Sequence, residues 1–238
     1  YPFPFSTAEL KDGATTGSLG FVINPTDKLS ITANASTGFR SPNVDDVGKV
    51  FDSTPGSVVI PNPDLEAEYA YNFELGIAKV FAEVLKIDLT GFYTTLENAM
   101  VRRNYTLNGQ SQIDYNGTLS QVQAIQNAAV ANVYGFQAGL ELKIAKGLSF
   151  SSQFNLQEGE EELDNGEKSP SRHAAPWFGI SRLTYVANGL NLQFYAQYSG
   201  EVSYENLSDE GRATEYIYAI DAEGRPYSPS WYTLNFKA

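Results

Sequence analysis

The sequence predicts an all-β chain: about nine antiparallel strands forming a segment of a transmembrane β-barrel, with short turns on one rim and long loops on the other. Three observations predict it. From Leu29 to Arg40, every second residue is apolar or small (Leu29, Ile31, Ala33, Ala35, Thr37, Phe39), and those between are polar or Gly (Ser30, Thr32, Asn34, Ser36, Gly38, Arg40). A period of two sorts side chains onto opposite faces of a strand. The polar face is built largely of small neutral residues, which suits a wet, enclosed wall better than an open solvent face. Connections between such stretches alternate between very short and very long, and aromatics such as Tyr69, Tyr93, Tyr134, Phe136, Tyr198 and Tyr232 gather near the stretch ends. Strands of about ten residues, apolar outside and polar inside, with unequal rims and aromatic girdles, are the signature of an outer-membrane barrel wall.

In chain order, the first strand is expected over residues 17–23 and is turned by Asn24, Pro25, Thr26 and Asp27 into the strand at 29–40. The next pair covers 69–80 and 85–96, with a short break near Glu83. Ala145-Lys146-Gly147 joins 134–144 to 148–156, where Leu148, Phe150, Phe154 and Leu156 share a face. Ala187-Asn188-Gly189 joins 177–186 to 190–198, and 231–238 reads as one more strand. Residues 41–68, 104–127, 157–176 and 201–228 are long polar segments, read as loops without regular structure. The lipid face is expected to carry Leu29, Ile31, Phe73, Leu75, Ile77, Leu85, Ile87, Leu89, Phe150, Phe154, Leu192 and Phe194. Ser30, Thr32 and Asn34 then face the lumen.

Composition narrows the function classes. No apolar run reaches the roughly 18 residues of a helical membrane span, and the mean hydropathy of -0.29 does not count against a barrel, because half of each wall strand is polar. The absence of Cys removes disulfide frameworks and thiolate metal sites. A net charge of -12 argues against nucleic acid, whose phosphates need a basic surface. It reads instead as solubility of exposed loops. No secretory leader opens the chain at Tyr1, so it reads as a mature chain or a fragment.

The stretch GFRSPNVDDV followed by NPDLEAEYAYNFELG resembles TonB-dependent outer-membrane receptors. Their barrels carry a GFR-x-P-N element closing one strand, a long loop, then N-P-D-L-x-x-E and E-L-G entering the next. Gly38, Phe39, Arg40, Pro42 and Asn43 match the first element; Asn62, Pro63, Asp64, Leu65, Glu68, Asn72, Glu74, Leu75 and Gly76 match the second. Tyr134-Gly135-Phe136, and the run from SYENL to SPSWYTLNFKA, resemble the downstream barrel, especially of Bacteroidetes members. The resemblance implies that residues 1–238 are part of a barrel of about 22 strands, with an N-terminal plug domain and final strands that this sequence does not contain. It implies partners: outer-membrane lipid, TonB through that plug, and a small-molecule nutrient, with iron-siderophore first and cobalamin, heme or oligosaccharide behind. Heme-importing relatives usually place a His between the two elements, and residues 44–61 hold none.

Candidate chemistry is sparse. His173 is the only histidine and could in principle ligate a metal or heme, though it reads as an ordinary residue near a rim loop. Arg102 and Arg103, beside Tyr105, stand where a strand leaves the membrane and could draw an anionic chelate or hold lipid headgroups. The acidic residues Glu158, Glu160, Glu161, Glu162, Asp164 and Glu167 fit no calcium-loop spacing and read as a solvated loop. Inward Glu74, Asp88 and Glu141 are expected to meet basic groups of a plug. No catalytic, metal or cofactor site is expected, and the chain reads as a transport receptor of the outer membrane. The alternatives are a passive porin or adhesive barrel, and a soluble carbohydrate-binding β protein.

Overall fold

A computed structural model describes residues 3–4, 7, 13–127, 130–162, 167–171, 176–212 and 217–238. Strands β1 (Ser18–Thr26) and β2 (Leu29–Arg40) form a hairpin, followed by the helical turn α1 (Val44–Gly48) and short strands β3 (Phe51–Thr54) and β4 (Ser57–Val59). Next come β5 (Glu68–Phe81) and β6 (Leu85–Glu97), then β7 (Met100–Asn104), β8 (Gln112–Tyr115) and β9 (Thr118–Asn127). A long hairpin of β10 (Val130–Ala145) and β11 (Leu148–Glu162) leads to β12 (Lys168–Pro170), and β13 (Trp177–Ala187) pairs with β14 (Leu190–Ser199). The helical turn α2 (Asp209–Arg212), β15 (Ala219–Ile220), β16 (Pro226–Tyr227) and β17 (Trp231–Lys237) complete the chain.

Nine strands make one antiparallel wall in the order β1-β2-β5-β6-β10-β11-β13-β14-β17, and β12 extends the edge of β11. The register aligns faces across the whole sheet. Ile31 lies opposite Ile77, Ile77 opposite Leu89, Leu89 opposite Ala138, and Ala138 opposite Phe154. Further along, Phe150 pairs with Leu183, Leu183 with Phe194 and Phe194 with Phe236. All twelve expected lipid-facing residues therefore share one face, with Ser30, Thr32 and Asn34 on the other. Large apolar side chains on this face are open, Phe73 at 57% and Leu75 at 64% of full exposure. A water-soluble sheet would bury such a face against another layer.

Stacked and tilted rings crown the apolar band. Tyr93 stacks on Tyr134, and a chain of contacts runs Phe136, Phe154, Trp177, Tyr198, each pair about 6 Å apart. The lower rim is tight, as the sequence predicts. Asn188 and Gly189 both take positive φ (49° and 81°), the two-residue turn that best matches strand twist. The first hairpin differs slightly. Its turn is at Asp27 and Lys28, while Pro25 stays within β1 at a register shift between Ile23 and Thr26. At this irregularity Asn24 and Pro25 have no partner on β2, so the N–H that Pro25 lacks breaks no bond of the hairpin ladder.

Two sequence expectations are overturned. Residues 41–68 and 104–127 are not structureless: they fold together into a second sheet, β3-β4-β9-β7 with β8 also on β9. Its core is Val58, Ile60, Leu107, Ile113, Val122 and Ala124. The apolar residues that drive it, Val58, Val59 and Ile60 in one loop and Val122 and Ala124 in the other, are too few in each segment to form a core alone. Glu158, Glu160, Glu161 and Glu162 are also not a loop, since β11 continues through them opposite Ala131, Asn132 and Tyr134. Alternation sends Glu158 and Glu160 to one face and Glu161 to the other, which eases their repulsion while the ladder supplies the backbone bonds.

Candidate ligand mouth

The wall's upper rim and the loop sheet meet in a polar seam, and the two sequence elements that carried the family resemblance build it. Pro42 is buried after the end of β2, and Asn43 caps α1, accepting from the N–H groups of Asp45 and Asp46 at 2.8 and 3.1 Å. Asp46 completes a capping box by accepting from the Asn43 N–H at 2.9 Å. Its carboxylate also takes the Arg40 guanidinium at 2.9 Å. Phe39 meets Tyr69 ring to ring at 6.2 Å on the other face.

The second element descends along β9. The parallel pairing of β4 with β9 continues as Ile60 N–H to the Gln123 carbonyl, then Asn62 Nδ2 to the Ile125 carbonyl at 2.8 Å. Asn62 also accepts from the Asp64 N–H, so this buried amide fixes the turn through Pro63 while Leu65 is buried beneath it. At the base, Asn127 accepts from the Glu66 N–H at 2.9 Å and donates to the carbonyls of Glu66 and Asn98. Glu68 accepts from the Met100 N–H at 2.8 Å. Asn98 and Asn127 hold this seam together and are positions that the motif search did not single out. The positive φ of Asn98 (55°), where the hairpin kinks above the wall, is the local signal for the first of them.

Below the seam the lumen face is polar. Asn72 donates to Glu74 and accepts from Thr94. Gly76 is required by crowding: a Cβ there would collide with the Thr32 hydroxyl and press on that of Thr90. Asp88 and Glu141, expected to meet a plug, stand beside Lys86 of the wall, at 3.8 and 2.9 Å. Glu141 lies directly opposite Lys86 on the adjacent strand, and Asp88 is two residues along the same strand on the same face.

The sequence-chosen ligand residues do not form one cluster. Arg102 and Arg103 are successive residues of β7 and therefore point to opposite faces. Arg102 lies over the Phe51 ring at 5.6 Å, and Arg103 donates to the Glu162 carbonyl at 2.6 Å. Tyr105 packs against the core of the loop sheet, with its N–H on the Val122 carbonyl. His173, like Asp164, lies outside the described residues. Among the described residues, no three His, Cys, Asp or Glu side chains are grouped to hold a metal ion.

A third loop adds a charged knot. The guanidinium groups of Arg212 and Arg225 both lie over the Tyr204 ring, at 5.0 and 5.3 Å. Arg225 reaches Glu205 at 2.8 Å and Asp221 at 3.0 Å. The Arg225 N–H bonded to Asp221 holds that carboxyl below its usual range, aided by the guanidinium. Glu205 is lowered first by its own backbone N–H, then by the Ser203 hydroxyl and Arg225. Nearby, the carboxylate of Glu160 raises the Lys168 ammonium through a 2.6 Å bond.

This architecture matches known proteins. The family described as TonB dependent receptor-like, beta-barrel, matches residues 2–238. Hemoglobin-haptoglobin utilization protein B of Neisseria meningitidis is 30% identical over 185 residues, covering 71% of this chain and 22% of that protein. The iron-regulated outer membrane virulence protein of Vibrio cholerae is 27% identical over 144 residues, covering 57% and 21%. Among solved structures, the ferric enterobactin receptor PfeA of Pseudomonas aeruginosa superposes with a TM-score of 0.63 at 17% identity, over 93% of this chain and 32% of that one. The siderophore receptor PirA of Acinetobacter baumannii gives 0.65 at 16% identity, over 93% and 34%. The chain thus spans between a fifth and about a third of the length of these proteins. With a family match along nearly its whole length and a wall of the same fold, the chain belongs to the TonB-dependent receptors, as part of their outer-membrane β-barrel.

Proposed function

We propose that this chain supplies wall and outer mouth to a TonB-energised receptor that takes up a scarce nutrient, an iron-siderophore complex before any other. The observation that carries the reading is the two-faced sheet crowned on one rim by a folded pair of loops. The polar face offers a wide wet lumen, and the crown offers a shaped surface above it. Arg102 and Arg103 provide positive charge in that crown for an anionic chelate, Tyr105 supports the crown from its core, and His173 stays a candidate at the rim. TonB would act through a plug domain lying outside residues 1–238. The outer edges of β1 and β17 expose ladder groups that hydrocarbon cannot satisfy, which supports closure by further strands of the same receptor.

A second reading, heme taken from a host protein, is favoured by the resemblance to a hemoglobin-haptoglobin utilization protein. The absence of His from residues 44–61 weighs against it. The test is uptake of radiolabelled iron by cells carrying the full-length receptor, with and without TonB. Cells are offered a ferric catecholate, a ferric hydroxamate, heme or hemoglobin. TonB-dependent uptake of a siderophore alone supports the first reading. Uptake from hemoglobin alone supports the second, and TonB-independent uptake overturns both.

A further inference from the structure

Midway along β13, Arg182 stands on the lumen face. One cross-strand row runs Lys86, Glu141, Ser151, Arg182, Tyr195 and Asn235 from β6 to β17, on the same side of the sheet as Ser30, Thr32 and Asn34. In this row Glu141 accepts from the Lys86 ammonium at 2.9 Å, and Ser151 separates that pair from Arg182. The Arg182 guanidinium lies over the Tyr195 ring at 5.7 Å, and its Nε is buried without a hydrogen-bond acceptor. It lines a lumen cavity of about 630 Å³ together with the carboxylates of Glu83, Asp88 and Glu141 and the ammonium groups of Lys86 and Lys143. Glu83 is bonded to Lys28 at 2.8 Å, while Asp88 and Glu141 stand beside Lys86. Among the described residues, no carboxylate pairs with Arg182.

The wall is poorly placed to supply such a partner. Side chains stand roughly perpendicular to a sheet, and strands lie about 4.8 Å apart, so Glu141 on β10 rises about 10 Å from Arg182. A strand continuing the sheet beyond β17 would be the third from β13, at about 14 Å. The far side of a wide barrel is more distant still. A group that meets Arg182 therefore stands inside the lumen. The guanidinium fork selects an oxyanion, above all one that takes two of its N–H donors at once. We propose that Arg182 anchors a carboxylate side chain of the receptor's own plug domain. The proposal rests on the receptor reading above, which supplies the plug. Tyr195 holds the guanidinium from one side, and the short side chains of Ser149 and Ser151 leave room for a group arriving from the lumen. A cation held in place and partly shielded from water gains more from such a partner than a freely solvated one.

The test uses the full-length receptor in outer-membrane vesicles and a water-soluble carbodiimide, which condenses an ammonium and a touching carboxylate into an amide with loss of water. Arg182→Lys keeps the charge and provides the amine. Mass spectrometry should find position 182 joined to a peptide of the plug. The Lys86–Glu141 pair, in contact at 2.9 Å, should be joined in the same reaction and serves as its positive control. Arg182→Gln should form no link at position 182. In that variant, hydrogen exchange of the plug segment identified by the link should quicken several-fold, with β11 and β13 unchanged. A link from position 182 only to Glu141 or another wall carboxylate overturns the proposal. So does no link there while Lys86 and Glu141 are joined, or unchanged plug exchange in Arg182→Gln. A full-length chain without a plug domain would instead overturn the receptor reading itself, and this anchor with it.

Discussion

Asp46 binds the guanidinium of Arg40 through both carboxylate oxygens, at 2.9 and 3.2 Å, and so ties the last residue of β2 to the turn that follows it. The same carboxylate closes the capping box with Asn43. Asp46→Ala should cost about 1 kcal/mol for the lost cap, with little added by the ion pair because Arg40 is half exposed. Faster hydrogen exchange confined to residues 43–48 is the expected reading. Unchanged exchange there would mean that the cap does not hold the turn.

The shared core of the two outer loops predicts shared loss. Ile60→Ala removes a side chain that is 2% exposed and should cost about 2–5 kcal/mol. Hydrogen exchange should rise together in residues 57–60 and 121–124. A rise in the first segment alone would show that the loops are independent. Deleting residues 106–126 should abolish uptake while the barrel still inserts, and it should also disorder residues 57–60, because β4 loses its partner.

The two faces of the wall predict opposite tolerances. Leu75→Arg places a charge on the apolar face and should cost on the order of 2–4 kcal/mol near the membrane midplane. Asn34→Arg lies opposite Glu74 on the lumen face and should cost far less. Equilibrium unfolding from lipid vesicles measures both. Equal losses would mean that the faces have been assigned wrongly.

The charged knot predicts a pH response. Asp221 and Glu205 both have lowered carboxyl pKa values in the fold, so the stability they lend is complete above the ordinary carboxylate range near pH 4. It is lost as pH falls through the lowered folded values. Exchange at Glu223 and Arg225, corrected for its intrinsic pH dependence, should be flat from pH 7 to about 5 and rise only in stronger acid. In Arg225→Ala the loosening should begin at higher pH. Loosening of the unaltered loop near neutrality would contradict the sign.

The wall was legible because its signal is local. Alternation at 29–40 and the turn residues Asn188 and Gly189 fix strand, face and hairpin without any knowledge of partners. The crown was not legible for the opposite reason. Val58 and Val122 are both fully buried, yet they are 64 positions apart and belong to two segments that each look polar. The roles of Asn62 and Asn127 are hidden in the same way, since their amides bond to backbone groups some 60 residues distant. Lys86 was passed over because a lone cation in a strand gives no hint that Glu141 stands beside it.

The parallel ladder between β4 and β9 also limits how the exposed surface of such a receptor can diverge. A single-residue insertion within residues 57–59 would turn Val58 out of the core and Val59 into its place, because a strand's side chains invert with every one-residue slip. Compensation would have to arise in β9, on a different loop. Lineages under pressure to alter their exposed epitopes should therefore place length changes outside the ladder, at the Asn116-Gly117 tip between β8 and β9, and treat the two loops as one heritable cassette.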